Sequence, residues 1–107
     1  MTTQPTLVAH RGYPTRYPEN TLIGYRAAIA AGTQWIETDI QLTRDRSVML
    51  YHDATLERIS GLPGLILDMT RSEVESIQAG HATVFGDRFA DEPVASLEGF
   101  AELLAGY

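Results

Sequence analysis

The sequence predicts an α/β fold, because strand-like apolar segments flank a helical one and polar side chains gather where the strands end. A first strand over TLVAH is followed by the polar loop HRGYPTRYPENT and then by the helix-like NTLIGYRAAIAAG. Two more strand-like segments, TQWIETDIQLT and VMLYHD, come next, with a turn between them. With 107 residues, 44% of them hydrophobic, the chain is expected to form one domain with a packed core.

The first helix has recognisable ends. Asn20 or Thr21 can cap its N-terminus, and Gly32 can end it in the left-handed conformation. The connection between the second and third strands holds only about seven residues, whereas a parallel crossover needs a dozen or more. Either the chain returns in extended form, or these two strands pair as a hairpin.

The second half of the chain is less regular. A short helix is predicted within DMTRSEVESIQAG, where Thr70 and Glu73 have the spacing of a capping box and Gly80 ends the helix. The segment HATVFGDRFADEPVA is expected to be irregular, and SLEGFAELLAGY is predicted to form a helix capped by Ser96.

Composition excludes several classes of function. The net charge of −6 argues against nonspecific nucleic-acid binding, although all eight basic residues are arginines, which bind phosphate well. Without cysteines, neither disulfides nor thiolate metal sites can form. No basic leader and no apolar run of about 18 residues is found, so we expect a cytoplasmic protein without a stable membrane anchor.

The residues that end the predicted strands suggest phosphodiester chemistry. In a continuous second strand Glu37 and Asp39 share one face, where they could hold a hard divalent cation or simply face water. His10 and His52 follow the first and third strands, and two histidines can serve as acid and base. Arg11 could bind phosphoryl oxygens. Asp53 either orients His52 or caps the next turn.

Four motifs carry a resemblance to a known family. HRG, PENT, ETD and HD follow one another in the order and spacing of the glycerophosphodiester phosphodiesterase family. The similarity continues into TLERISG, DMTRSEVESIQAG and EPVASLEGFAELL, and so extends over essentially the whole chain. By this resemblance His10 and His52 are the catalytic pair, and Glu37 and Asp39 bind Mg²⁺ or Ca²⁺. The implied substrate-binding residues are Arg11, Glu19 and Asn20.

The resemblance also implies a fold, a (β/α)₈ TIM-barrel variant of the phospholipase C-like phosphodiesterase type. Such barrels take about 250 residues, so residues 1–107 would be only the N-terminal part of one barrel domain, with a family-type insertion at about 54–92. A third metal-binding carboxylate is then expected beyond residue 107. A partial barrel exposes strand edges, and we therefore expect this chain to associate with itself or to swap segments.

The activity implied by the resemblance is metal-dependent hydrolysis of a small-molecule glycerophosphodiester to sn-glycerol 3-phosphate and an alcohol. Two alternatives remain at this point. The same residues could serve a phospholipase D-like lyase that forms a cyclic phosphate, or the chain could be a truncated, non-catalytic binding or scaffold fragment.

Overall fold

A computed structural model of the chain describes residues 5–107, and its first unit is a strand, a helix and a parallel strand. Strand β1 (Val8–His10) pairs with β2 (Trp35–Glu37), so that His10 lies opposite Glu37. Helix α1 (Leu22–Ala30) makes the crossover that a parallel pair requires. Both strands therefore end at one edge, where His10 and Glu37 are neighbours.

Helix α1 begins and ends close to the predicted positions. Thr21 is its N-cap, and the Thr21 hydroxyl accepts a hydrogen bond from the backbone N–H of Gly24 at 3.2 Å. The chain leaves the helix through Ala31 and then Gly32, whose φ of +96° is in the left-handed region. Asn20, the other candidate cap, uses its side chain elsewhere.

The second predicted strand is broken in the structure. Thr38 and Asp39 separate β2 from β3 (Ile40–Leu42), which pairs antiparallel with β4 (Val48–Leu50). The hairpin is thus the alternative that forms. The expectation of one continuous second strand through Glu37 and Asp39 is wrong, because β2 and β3 hydrogen-bond to different partners.

The remainder of the chain is mainly short helices. Residues Glu57–Ser60 form α2, Arg71–Glu75 form α3, Ala82–Phe85 form α4 and Leu97–Ala105 form α5, and a 3-10 helix covers Ile66–Asp68. The Thr70–Glu73 capping box and the Ser96 cap are confirmed. Helix α4 lies in a segment expected to be irregular.

Gly80 does not end a helix, because α3 stops at Glu75. Its role is instead one of packing. A Cβ atom at this position would lie 2.4 Å from the backbone oxygen of Phe89, so only glycine fits there.

Strand β4 separates two apolar clusters. Met49 faces the larger cluster, which the segment after the hairpin fills, and Leu50 faces a smaller one with Tyr25, Ala95 and Phe100. The other buried members of the larger cluster are Tyr51, Leu56, Ile59, Ile66, Val74, Ile77, Ala79 and Val94. Because successive strand residues point to opposite faces, β4 contributes one side chain to each cluster.

Large apolar side chains on the other strands face solvent. They are Val8, Trp35, Ile40 and Leu42, and Trp35 is 65% exposed. Among the helices described between residues 5 and 107, none is long and apolar enough to cross a bilayer.

Candidate active site

The first part of the candidate site lies at the shared edge of β1 and β2. Nε2 of His10 lies 3.3 Å from Oε2 of Glu37. That carboxylate oxygen is itself buried and accepts no hydrogen bond of adequate geometry. Glu37 therefore presents an unpaired buried oxygen beside an imidazole.

The loop after β1 folds sharply, and this fold directs Arg11 toward Asp39. Arg11 has a left-handed backbone (φ +59°) and donates its N–H to the Glu37 carbonyl at 3.0 Å. Gly12 follows with φ +97° and packs so closely on α1 that a Cβ atom would lie 3.2 Å from the carbonyl carbon of Gly24. Nε of Arg11 then lies 3.1 Å from Oδ2 of Asp39.

Asn20 holds the break between β2 and β3. It is buried with φ +57°, and its amide oxygen accepts hydrogen bonds from Tyr25 Oη at 2.8 Å, Thr38 Oγ1 at 3.0 Å and the Asp39 N–H at 3.2 Å. Its Nδ2 donates to Oδ2 of Asp39 at 3.1 Å. Asn20 thus holds both the backbone N–H and the carboxylate of Asp39.

Arg58 on α2 joins the rest of the site, a role that no sequence motif indicated. Its guanidinium donates from Nη1 and Nη2 to the two Glu19 oxygens at 2.8 and 2.9 Å. It also donates from Nε and Nη2 to the two Asp53 oxygens at 2.9 and 3.0 Å. Oδ1 of Asp53 is in turn 2.7 Å from Nδ1 of His52. Asp53 therefore contacts His52, as one of the two sequence interpretations had it.

Both carboxylates bound by Arg58 stay ionised. The hydrogen bonds from Arg58 are the largest influence on Asp53 and lower its pKa, against a smaller opposing effect of burial. Burial raises the pKa of Glu19, but the hydrogen bonds and charge of Arg58, with the charge of Arg11, lower it further than burial raises it. The same two carboxylates raise the pKa of Arg58.

No pattern in the sequence pointed to Arg58. The structure shows why Glu19 needs a cation, since its side chain is only 9% exposed and a buried carboxylate is costly without one. However, 39 positions separate Glu19 from Arg58, and the chain contains seven other arginines. Only the position of α2 decides which of them binds Glu19.

The donor set fits a hard cation in part. Glu37 and Asp39 bring carboxylate oxygens, which Mg²⁺ and Ca²⁺ prefer, and the unpaired buried oxygen of Glu37 suits such an ion. Asp39 is already in contact with Arg11 and Asn20. Across residues 5–107, no group of three or more His, Cys, Asp or Glu side chains is placed to hold a metal ion.

The candidate site is an open surface. His10 and His52 have side chains that are 67% and 43% exposed. Two hollows of about 260 and 240 Å³ lie elsewhere, against α3 and the segment 90–99, and no predicted site residue lines them. The two histidines thus lie on an open face of the described residues.

Comparison with known sequences places the chain among phosphodiesterases. The model of the glycerophosphoryl diester phosphodiesterase family matches residues 10–105. A glycerophosphodiester phosphodiesterase of Caldanaerobacter subterraneus subsp. tengcongensis is 36% identical over 98 residues, which are 92% of this chain and 40% of that protein.

Solved structures of phosphodiesterases also resemble this chain. The glycerophosphodiester phosphodiesterase of Agrobacterium tumefaciens superposes with a TM-score of 0.88 at 33% identity, over 96% of this chain and 44% of that one. A phosphodiesterase of Oleispira antarctica, solved in complex with the product sn-glycerol-3-phosphate, gives 0.87 at 31% identity, over 96% and 41%. The expected fold class, part of a (β/α)₈ barrel variant, is confirmed. The chain spans about two fifths of the length of these relatives.

Proposed function

Because this chain belongs to the glycerophosphoryl diester phosphodiesterase family, we propose that it supplies the catalytic wall of an enzyme that hydrolyses glycerophosphodiesters to sn-glycerol 3-phosphate and an alcohol. The observation that carries this proposal is the edge where His10 and Arg11 leave β1 beside Glu37 and Asp39. The product bound in the Oleispira antarctica phosphodiesterase supports the substrate class.

The two histidines are proposed to move the protons of this reaction. One takes the proton of the attacking hydroxyl, and the other protonates the departing alcohol oxygen. The ionised Asp53 accepts from Nδ1 of His52, which leaves Nε2 of that ring to exchange a proton with substrate. His10 presents Nε2 beside Glu37.

Glu37 and Asp39 are the proposed ligands of a divalent cation, Mg²⁺ or Ca²⁺. Such an ion, when bound, neutralises charge on the phosphate and orients a substrate oxygen. The unpaired Glu37 oxygen supports this assignment. Arg11 is proposed to donate hydrogen bonds to the phosphoryl oxygens, with Glu19 and Asn20 shaping the loop that presents it.

Release of glycerol 3-phosphate from glycerophosphocholine by the purified chain tests the proposal. We expect activity that EDTA abolishes and that Mg²⁺ or Ca²⁺ restores. His10→Ala and His52→Ala should each lower kcat at least about 100-fold, since each removes an acid or a base. His81→Asn is the control, because the His81 side chain makes no hydrogen bond to these residues and asparagine tolerates its left-handed backbone.

Two results would overturn parts of this proposal. Parent-like turnover by both histidine variants would remove the acid–base assignment. Phosphorus NMR that detected a stable cyclic phosphate and no glycerol 3-phosphate would favour the lyase.

A cytoplasmic location and a role in glycerol and lipid metabolism are also proposed. Fractionation of cells would test the location, and analysis of their glycerophosphodiesters would test the metabolic role.

A further inference from the structure

We infer that Arg58 is a positioning residue, which holds His52 through Asp53 and steadies Arg11 through Glu19; the consequence for catalysis rests on the function proposed above. Arg58 touches neither histidine. It contacts the two carboxylates that contact His52 and Arg11, four hydrogen bonds of 2.8 to 3.0 Å in all.

The geometry of these contacts requires a guanidinium group. Arg58 makes a two-bond contact with each carboxylate and uses Nη2 in both, which its planar, forked shape allows. Glu19 lies 39 positions away in the loop before α1, and Asp53 lies directly after His52. One side chain therefore connects two segments that the backbone does not hold together here.

The connection from Arg58 through Asp53 to His52 is closer than the connection through Glu19 to Arg11. Oδ1 of Asp53 lies 3.0 Å from Nη2 of Arg58 and 2.7 Å from Nδ1 of His52, so one oxygen serves both groups. Oε2 of Glu19 lies 3.5 Å from Nη1 of Arg11, a longer contact. Loss of Arg58 should therefore be felt first in the orientation and tautomer of His52.

The histidine tautomer reports this positioning without any need for activity. Neutral His52 should carry its proton on Nδ1, where Asp53 accepts it, as long as Arg58 holds Asp53 in place. Long-range ¹H–¹⁵N NMR at pH 8, about 1.5 units above the ordinary imidazole pKa, distinguishes the two ring nitrogens. The chain has only three histidines, which makes the assignment by substitution direct.

We expect the parent to show Nδ1–H at His52 and Arg58→Ala to lose it. Because Arg58 is 40% exposed, guanidinium ions should enter the vacated site. About 20 mM guanidinium chloride, far below denaturing concentrations, should restore the Nδ1–H signal in Arg58→Ala. Arg58→Met keeps the stem of the side chain for packing and should lose the signal also. Arg71→Ala is the matched control, since Arg71 pairs with Glu75 and Glu98.

Activity is measured on the same samples. Arg58→Ala should lower kcat by roughly 10- to 100-fold, as loss of a group that orients a functional histidine does, with KM changed less and with partial rescue by guanidinium. An unchanged His52 tautomer in folded Arg58→Met or Arg58→Ala would overturn the inference, as would a parent that lacks Nδ1–H. A parent with the expected tautomers but no turnover would instead refute the proposed function alone.

Discussion

At the scale of the residue, Asn20 shows how one side chain sets the geometry of the site. Its amide oxygen accepts from Tyr25, Thr38 and Asp39, and its amide nitrogen returns a hydrogen bond to the Asp39 carboxylate. These contacts hold Thr38 and Asp39, the two residues between β2 and β3, in place. They also hold the Asp39 carboxylate where its Oδ2 lies 3.1 Å from Nε of Arg11.

We predict that Asn20→Ala lowers the free energy of unfolding by roughly 2 to 4 kcal/mol, since it leaves the buried Tyr25 hydroxyl and the Asp39 N–H without an acceptor. Asn20→Gly is the informative companion, because glycine tolerates the backbone φ of +57°. Denaturant titration should find both variants weakened to a similar extent. A glycine variant as stable as the parent would show that backbone strain, and not hydrogen bonding, explains the alanine result.

Glu19 and Asp53 also predict how stability depends on pH. Their ordinary pKa values, 4.5 and 3.8, are lowered in the folded chain, so the folded state binds fewer protons than the unfolded state does. Their stabilising contribution is complete above about pH 5 and is lost as the pH falls through the lowered values.

Thermal unfolding followed by circular dichroism at pH 7, 5, 4 and 3 should show Tm falling below about pH 5. The double variant Glu19→Gln and Asp53→Asn should start from a lower Tm at pH 7 and change less on acidification. If parent and double variant lost the same number of degrees between pH 5 and pH 3, other groups would be responsible.

At the scale of the element, local chemistry explains where the helices begin. In α3, Oγ1 of Thr70 accepts from the N–H of Glu73 at 3.2 Å, and Oε1 of Glu73 accepts from the N–H of Thr70 at 3.2 Å. Ser96 and Thr21 cap α5 and α1 in the same manner with single bonds. Such contacts span three residues, so they can be found by reading the sequence.

We predict that Thr70→Ala costs about 1 kcal/mol of unfolding free energy, because it removes the cap of α3. Thr83→Ala is the matched substitution, since Thr83 is exposed in α4 and caps nothing. It should change stability little. Denaturant titration of the two variants measures both changes in the free energy of unfolding. Equal decreases would mean that the capping box contributes no more to stability than an exposed threonine does.

At the scale of the whole molecule, the strands carry apolar side chains that nothing in residues 5–107 covers. Val8 and Trp35 lie opposite each other in the β1–β2 pair, and Ile40 and Leu42 lie on β3. An exposed apolar surface on a two-stranded sheet with free edges favours association with other chains.

We therefore predict that the chain associates in solution. Sedimentation should detect species heavier than the 11.8 kDa monomer. The emission of Trp35, the only tryptophan, should shift to shorter wavelength as concentration rises. Trp35→Glu should weaken association more than Tyr107→Glu, a change at another exposed aromatic side chain. A monodisperse monomer up to about 100 μM would contradict the prediction.

The sequence by itself determined the family and the α/β class, through motifs and patterns that follow one another along the chain. It also determined the caps of α3 and α5, because each cap depends on residues three positions apart. For α1 it allowed Asn20 or Thr21, and the structure shows Thr21. Among the residues predicted for the site, His10 and Glu37 end β1 and β2, and His52 follows β4. Their roles as acid, base and ligand remain predictions.

Only the tertiary structure decided the rest. The alternating pattern from Ile36 to Leu42 predicts one strand, but β2 bonds to β1 and β3 bonds to β4, with Thr38 and Asp39 between them. The pair of Arg58 and Glu19 could not be predicted for a related reason. The two residues are 39 positions apart, and any of the eight arginines could have bound Glu19. Contacts between residues far apart in the sequence depend on how the elements pack, and the spacing of neighbouring residues does not determine that packing.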